Sequence, residues 1–198
     1  LIAVNAEGRR FVNEAVSYHD FVEAMYRSHQ TASTLPAWLV CERAFVTKYG
    51  LGAIHPETRD LSKHIANSYV TLAENLEELA LKIGVDPNGL LDTVARNNDF
   101  ARTGTDEDFG KGDMELNRFN GDPLHAPNPC LGLIGMAGRM HEVVDACKDR
   151  QIACWPDACM NGLTNGMLNG QGRAADGWTN GREKQLLSII HCRGPILI

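Results

Sequence analysis

The chain opens on an unbroken apolar run, Leu1-Ile2-Ala3-Val4, which gives way to polar Asn5-Ala6-Glu7-Gly8 before Arg10-Phe11-Val12 turns apolar again. A short apolar run bounded by turn residues suits a buried strand. Asn favours the start of a turn and Gly accepts positive φ, so the pattern predicts a hairpin over residues 1–12. From Asn13 to Arg27, Phe21, Val22, Met25 and Tyr26 recur at helical spacing and predict a helix. Trp38-Leu39-Val40 reads as a further buried strand, and Tyr49-Gly50-Leu51-Gly52 as a loop.

The clearest periodicity predicts a helix pair. Thr71-Leu72-Ala73-Glu74 has capping-box spacing, with Leu72, Leu76, Leu79, Ala80 and Ile83 following on one face. Gly84 supplies a left-handed stop, and Asp86-Pro87 supplies a cap and a first-turn proline for the next helix. Leu90, Leu91, Val94 and Phe100 give that helix its apolar side, and Gly104 ends it. From Asp106 to Pro129 the pattern is loop-like. Short strands mixed with helices imply an α+β fold rather than a doubly wound sheet.

Charge divides the chain unevenly. Residues 1–130 carry 12 Lys+Arg against 19 Asp+Glu, and residues 131–198 carry 7 against 6. The second stretch also holds 10 of the 19 Gly and 4 of the 6 Cys. The expected organisation is one region over residues 1–134 and an atypical, irregular tail over 135–198. No run approaches the ~18 apolar residues of a membrane span. A net charge of −6 without a cluster of basic residues argues against a nucleic-acid partner. Six Cys in a chain of 198 residues are too few for a disulfide scaffold and read as reduced thiols of a cytoplasmic protein. Leu1 to Val4 looks like a strand that begins in mid-domain.

Several motifs carry no chemistry. Asp108-Phe109-Gly110 matches the magnesium-binding tripeptide of kinases, but no His-Arg-Asp loop accompanies it. Gly170-Gln171-Gly172 lacks the third glycine of a dinucleotide fingerprint. Cys147, Cys154 and Cys159, even with His191 or Cys192, have the wrong spacing for a zinc knuckle. One stretch differs. In Gly8-Arg9-Arg10-Phe11-Val12-Asn13-Glu14-Ala15-Val16-Ser17-Tyr18, a Tyr follows a Glu by four residues, which places both on one face if the helix has begun by Glu14. A carboxylate orients a neighbouring phenol and a nearby Arg favours the phenolate, so the pair suits proton abstraction. A core Tyr with a satisfied hydroxyl fits the same pattern.

Gly-x-Arg-Phe-Val-Asn-Glu with a reactive residue four positions after the Glu resembles the hallmark of the FAD-dependent fumarate reductase and 3-ketosteroid dehydrogenase flavoprotein superfamily. The resemblance continues through Tyr49-Gly50-Leu51-Gly52, Thr71 to Ala80, Ile83 to Pro87, Asp106 to Gly112 and Asn128 to Gly132. Tyr at position 18 points to the ketosteroid-dehydrogenase branch, since the fumarate reductase branch typically has Arg there.

The resemblance implies FAD as cofactor and, for residues 1–134, a piece of the FAD-domain sheet followed by the cap domain that covers the substrate. It implies a small-molecule substrate, a 3-ketosteroid or other cyclic ketone, that loses hydride to flavin and a proton to Tyr18. Glu14 would orient the site, with Arg10 as its neighbour. A fumarate reductase or succinate dehydrogenase type of flavoprotein, or a non-catalytic remnant of the fold, are the alternatives. The family's Gly-rich pyrophosphate cradle and its Gly-Leu-Tyr-Ala-x-Gly-Asn stretch have no counterpart here. This stretch alone is therefore expected to show little or no turnover, and residues 135–198 suit a frameshifted or replaced C-terminus.

Overall fold

The computed structural model describes residues 1–135 and the strand at 141–145. The zinc candidates Cys147, Cys154, Cys159, His191 and Cys192, and nearly all of the 135–198 tail, lie outside the described residues.

The elements run β1 (Ile2–Val4), α1 (Tyr18–His29), β2 (Trp38–Glu42), α2 (Arg43–Tyr49), α3 (Ser62–Ala66) and β3 (Val70–Ala73). They continue with α4 (Leu76–Ile83), α5 (Pro87–Thr103), α6 (Glu115–Phe119) and β4 (His141–Asp145). The four strands form one antiparallel sheet in the order β1-β2-β4-β3. β4 belongs to the residues after 134, and its backbone runs between β2 and β3, with Val40 opposite Val143 and Thr71 opposite Val143 on the other side.

Both faces of the sheet are covered, which explains why β1 is apolar at every position rather than at every second one. Leu1, Ala3, Leu39 and Cys41 pack on one side with Phe21, Met25, Val46, Leu51 and Ile54. Ile2, Val4 and Val40 pack on the other with Leu76, Leu79, Leu90 and Val94 from α4 and α5. Each such Leu or Ile, taken wholly out of water, contributes on the order of 2 kcal/mol.

The α+β mixture expected from the sequence is present, and the helix pair keeps its punctuation. Gly84 (φ 72°) and Gly104 (φ 84°) are left-handed stops. The Asp86 side chain accepts the Gly89 N–H at 3.0 Å ahead of Pro87. The start of α4 differs from expectation. Residues 70–73 are strand β3, because Val70 and Ala73 are buried and bond to β4. The cap is Asn75, whose Oδ1 accepts the Glu78 N–H at 2.8 Å while Glu78 Oε2 accepts the Glu74 N–H at 3.0 Å. The loop-like stretch 106–129 contains one short helix, α6.

The opening hairpin also differs. Only Val4 and Arg10 bridge, and β1 pairs instead with β2. The return segment cannot extend as a ladder, because Arg10 is drawn into an ionic cluster and Phe11 turns to meet the Phe21 ring at 5.7 Å. The turn itself is fixed. Gly8 has φ 72°, and a Cβ there would run into the backbone nitrogen of Leu90, so residues 5–8 lie against the first turn of α5. Ala6 O accepts the Asp86 N–H at 2.9 Å across the same contact.

Candidate functional site

Tyr18 is the first residue of α1, so Glu14 lies in the turn before the helix and the shared helix face expected from their spacing does not form. Two local devices delay the helix. Asn13 Oδ1 accepts the Ala15 N–H at 2.9 Å, which holds an Asx-type turn, and Ser17 Oγ caps α1 by accepting the Asp20 N–H at 3.2 Å. Tyr18 is half-buried at this junction.

The Glu14 carboxylate is wholly buried and faces cations and a backbone donor. It accepts Arg10 Nε at 2.8 Å and Arg10 Nη2 at 2.9 Å, pairs with Lys111 Nζ at 3.0 Å, and accepts the Ala3 N–H at 3.0 Å. Arg10 turns its other edge to Asp106, with Nη1 to Oδ1 at 3.0 Å and Nη2 to Oδ2 at 2.9 Å, and stacks over the Phe109 ring at 5.0 Å. Lys111 Nζ also donates to Leu1 O at 2.9 Å. Two cations and two anions, each side chain no more than 5% exposed, thus form a neutral buried cluster.

Burial alone would raise the Glu14 pKa. Lys111 and Arg10 outweigh it and hold the carboxyl at about 2. Burial likewise disfavours the Arg10 cation, but Glu14 and Asp106 push its pKa above the ordinary arginine value.

A second polar knot holds the same turn. Asn117 Nδ2 donates to Ala15 O at 2.7 Å, while its Oδ1 accepts Asn13 Nδ2 at 3.1 Å and the Gly112 N–H at 3.2 Å. Asn13 Nδ2 also reaches Phe109 O at 3.2 Å. The kinase-like tripeptide therefore has a structural use here. Asp108 takes Arg96 in a fork at 2.7–2.9 Å, and the Phe109 carbonyl anchors Asn13.

A cavity of about 320 Å³ opens between α2 and residues 117–134. Its wall includes Phe45, Lys48, Tyr49, Asp122, His125 and Cys130, and it touches the buried cluster through Lys111 and the second polar knot through Asn117. Tyr18 is not among its lining residues. Asp122 Oδ2 accepts both Lys48 Nζ and the Tyr49 hydroxyl at 2.6 Å, which holds the carboxyl far below its usual range. Burial, then the Asp122 carboxylate, raises the Tyr49 phenol, and burial raises the Cys130 thiol.

Among the described residues no group of three His, Cys, Asp or Glu could hold a metal, and no helix is long and apolar enough to cross a membrane. Gly8, Gly84 and Gly104, with positive φ, serve a turn and two helix stops rather than a strand-to-helix phosphate loop.

The sequence singled out Arg10, Glu14 and Tyr18, and the structure joins Arg10 to Glu14 in one cluster and puts Tyr18 at the end of the turn that the cluster secures. Asp106, Lys111 and Asn117 were not anticipated. Asp106 and Lys111 lie in the block Asp106 to Gly112 of the resemblance, which gives no hint of a partner nearly a hundred residues upstream, and Asn117 lies in none of its blocks.

A family profile described as "FAD binding domain" matches residues 1–143. The 4-oxocyclohex-2-ene-1-carboxylate 5-dehydrogenase of Sinomonas cyclohexanicum is 42% identical over 131 residues, 66% of this chain and 22% of that protein. The 3-oxosteroid 1-dehydrogenase of Mycobacterium tuberculosis is 36% identical over 139 residues, 68% of this chain and 25% of that protein. Among solved structures, the 3-ketosteroid delta1-dehydrogenase from Sterolibacterium denitrificans, in complex with 1,4-androstadiene-3,17-dione, superposes with a TM-score of 0.68 at 37% identity. That match covers 72% of this chain and 26% of that one. The chain thus spans about a quarter of the length of the relatives it matches. With more than half of its residues inside the family profile, the chain belongs to the FAD-binding-domain flavoprotein family, and its cofactor is FAD.

Proposed function

We propose that this chain is part of an FAD-dependent dehydrogenase that desaturates a 3-ketosteroid or a similar cyclic ketone, with Tyr18 as the base. The observation that carries this reading is a half-buried Tyr18 at the head of α1, inside the stretch matched by the family profile, in a chain whose relatives are named as dehydrogenases of ring ketones.

FAD, when bound, would supply the hydride acceptor. The substrate ketone acidifies the proton on its neighbouring carbon, so the protein needs only to hold the ring and receive that proton. Tyr18 Oη takes it as a phenolate, a base strong enough to hold that proton. Glu14 and Arg10 act one step back. Their charges cancel within the cluster, so they fix the turn that carries Tyr18 rather than exchange protons with substrate.

In this reading residues 1–134 combine an edge of the FAD-domain sheet with the cap that covers the substrate, in a cytoplasmic protein of steroid or cyclic-ketone metabolism. Cys41 and Cys130 stand as thiols rather than in a disulfide, which fits a reducing compartment. The isolated chain, offered FAD, a 3-ketosteroid and a dye acceptor, should show little or no dye reduction. Grafting residues 1–134 in place of the matching segment of the M. tuberculosis relative should restore it. Tyr18→Phe in that graft should then lower turnover by about 10²–10⁴-fold. Equal turnover with and without the hydroxyl would refute Tyr18 as base.

A further inference from the structure

The turn before Tyr18 is held by residues far along the sequence. Asn13, Glu14 and Ala15 are consecutive, and each is tied to the loop between Asp106 and Asn117. Asn13 is held by Phe109 O and Asn117 Oδ1, Glu14 by Lys111 and, through Arg10, by Asp106, and Ala15 O by Asn117 Nδ2. Only Val16 and Ser17 separate these anchors from Tyr18. Glu14 and Lys111 also fasten the turn to β1, through Ala3 N and Leu1 O.

The loop is itself held from behind. Gly112 has φ 98°, and Asn128 Nδ2 donates to both Lys111 O at 3.1 Å and Gly104 O at 2.9 Å. Past Tyr18, Phe21 and Met25 lock α1 into the core. The Tyr18 backbone therefore lies between a turn held by a buried polar clamp and a helix held by apolar packing.

We propose that the Asp106–Asn117 loop is a positioning clamp for Tyr18, with Asn117 and Lys111 as its positioning residues. The proposal rests on the reading of Tyr18 as the base. A reacting group displaced by ~1 Å loses up to about 10²-fold in rate, so a turn two residues away is a place where a small shift matters. Asn117 is suited to the part because its amide bridges Ala15 on one side and Asn13 and Gly112 on the other, at zero exposure.

The test uses the chain labelled with fluorotyrosine and read by fluorine NMR, without flavin or substrate. The four tyrosines are Tyr18, Tyr26, Tyr49 and Tyr69, and Tyr18→Phe assigns the first. Asn117→Asp keeps the acceptor for Gly112 and removes the donor to Ala15 O. The Tyr18 resonance is expected to move by more than its line width while that of Tyr69 stays in place. Mild acidification, which protonates the introduced carboxyl and restores a donor, should return it towards the parent position. Where Asn117→Asp does not fold, Lys111→Arg, which keeps the charge and alters the reach, is expected to move the same resonance.

An unmoved Tyr18 signal in a folded variant, equal movement of Tyr69, or loss of the fold in both variants overturns the clamp. An unmoved signal beside a graft that needs the Tyr18 hydroxyl rejects the clamp and keeps the base. A moved signal beside a fully active Tyr18→Phe graft rejects the base and keeps the clamp.

Discussion

Arg10, Glu14, Asp106 and Lys111 meet at 2.8–3.0 Å with each side chain at most 5% exposed, whereas Lys48 and Asp122 meet at 2.6 Å with Lys48 61% exposed. The shorter contact is the weaker one. At the cavity rim, solvent and salt screen the pair, and Lys48 gives up side-chain freedom to make it. In the interior, both members of each pair have left water, and every remaining polar atom has to be answered by a partner. The buried cluster answers them with backbone and side-chain groups that lie 4 to 110 residues apart. Distance alone therefore does not rank these interactions, and burial decides which one organises the fold.

The largest expected effect comes from breaking the buried set. Arg10→Met leaves Glu14 and Asp106 facing each other across an apolar side chain and should cost about 3–5 kcal/mol in denaturant unfolding. A cost below about 1 kcal/mol would mean that the cluster is no more than a surface pair.

The next effect is in acid. Glu14 is held at about 2, against roughly 4.3 for an unfolded glutamate. Because the folded value is the lower, the contribution is complete above pH ~4.3 and drains away as pH falls towards 2. Two and a fraction pKa units correspond to about 3 kcal/mol. Glu14→Gln, less stable at neutral pH, should show a visibly flatter stability profile across that window. A parallel profile would contradict a depressed Glu14.

The smallest effect is at the rim. Lys48→Met should leave the unfolding midpoint almost unchanged, and whatever difference appears should vanish in about 1 M salt. A large salt-resistant loss would erase the contrast between the two regions.

Much of the architecture was legible from local pattern. Gly84, Asp86, Pro87 and Gly104 mark helix ends through backbone rules that need no tertiary context, and the apolar runs at residues 1–4 and 38–40 became strands. The errors share one origin. Thr71 to Glu74 satisfied a capping pattern, yet the ladder to β4 claimed those residues. Arg10 to Val12 looked like a return strand, yet Asp106 and Glu14 claimed Arg10. Glu14 and Tyr18 had helical spacing, yet the Asn13 and Ser17 side chains postponed the helix. In each case a long-range or side-chain partner outbid a local rule. The site was half legible for the same reason. A motif marks Arg10, Glu14 and Tyr18, but Lys111 and Asn117 become visible only when the chain folds back on itself.

The central claim is that Tyr18, as the phenolate, removes the proton next to a substrate ketone. Its most direct measurement separates that proton from hydride transfer. The graft described above is incubated in deuterated water with a saturated ring ketone, without an electron acceptor, and deuterium entering the carbon beside the carbonyl is followed by NMR. Exchange above the buffer rate with Tyr18, and its disappearance in Tyr18→Phe with substrate binding intact, is the outcome expected. Exchange that proceeds equally well without the hydroxyl would contradict the account.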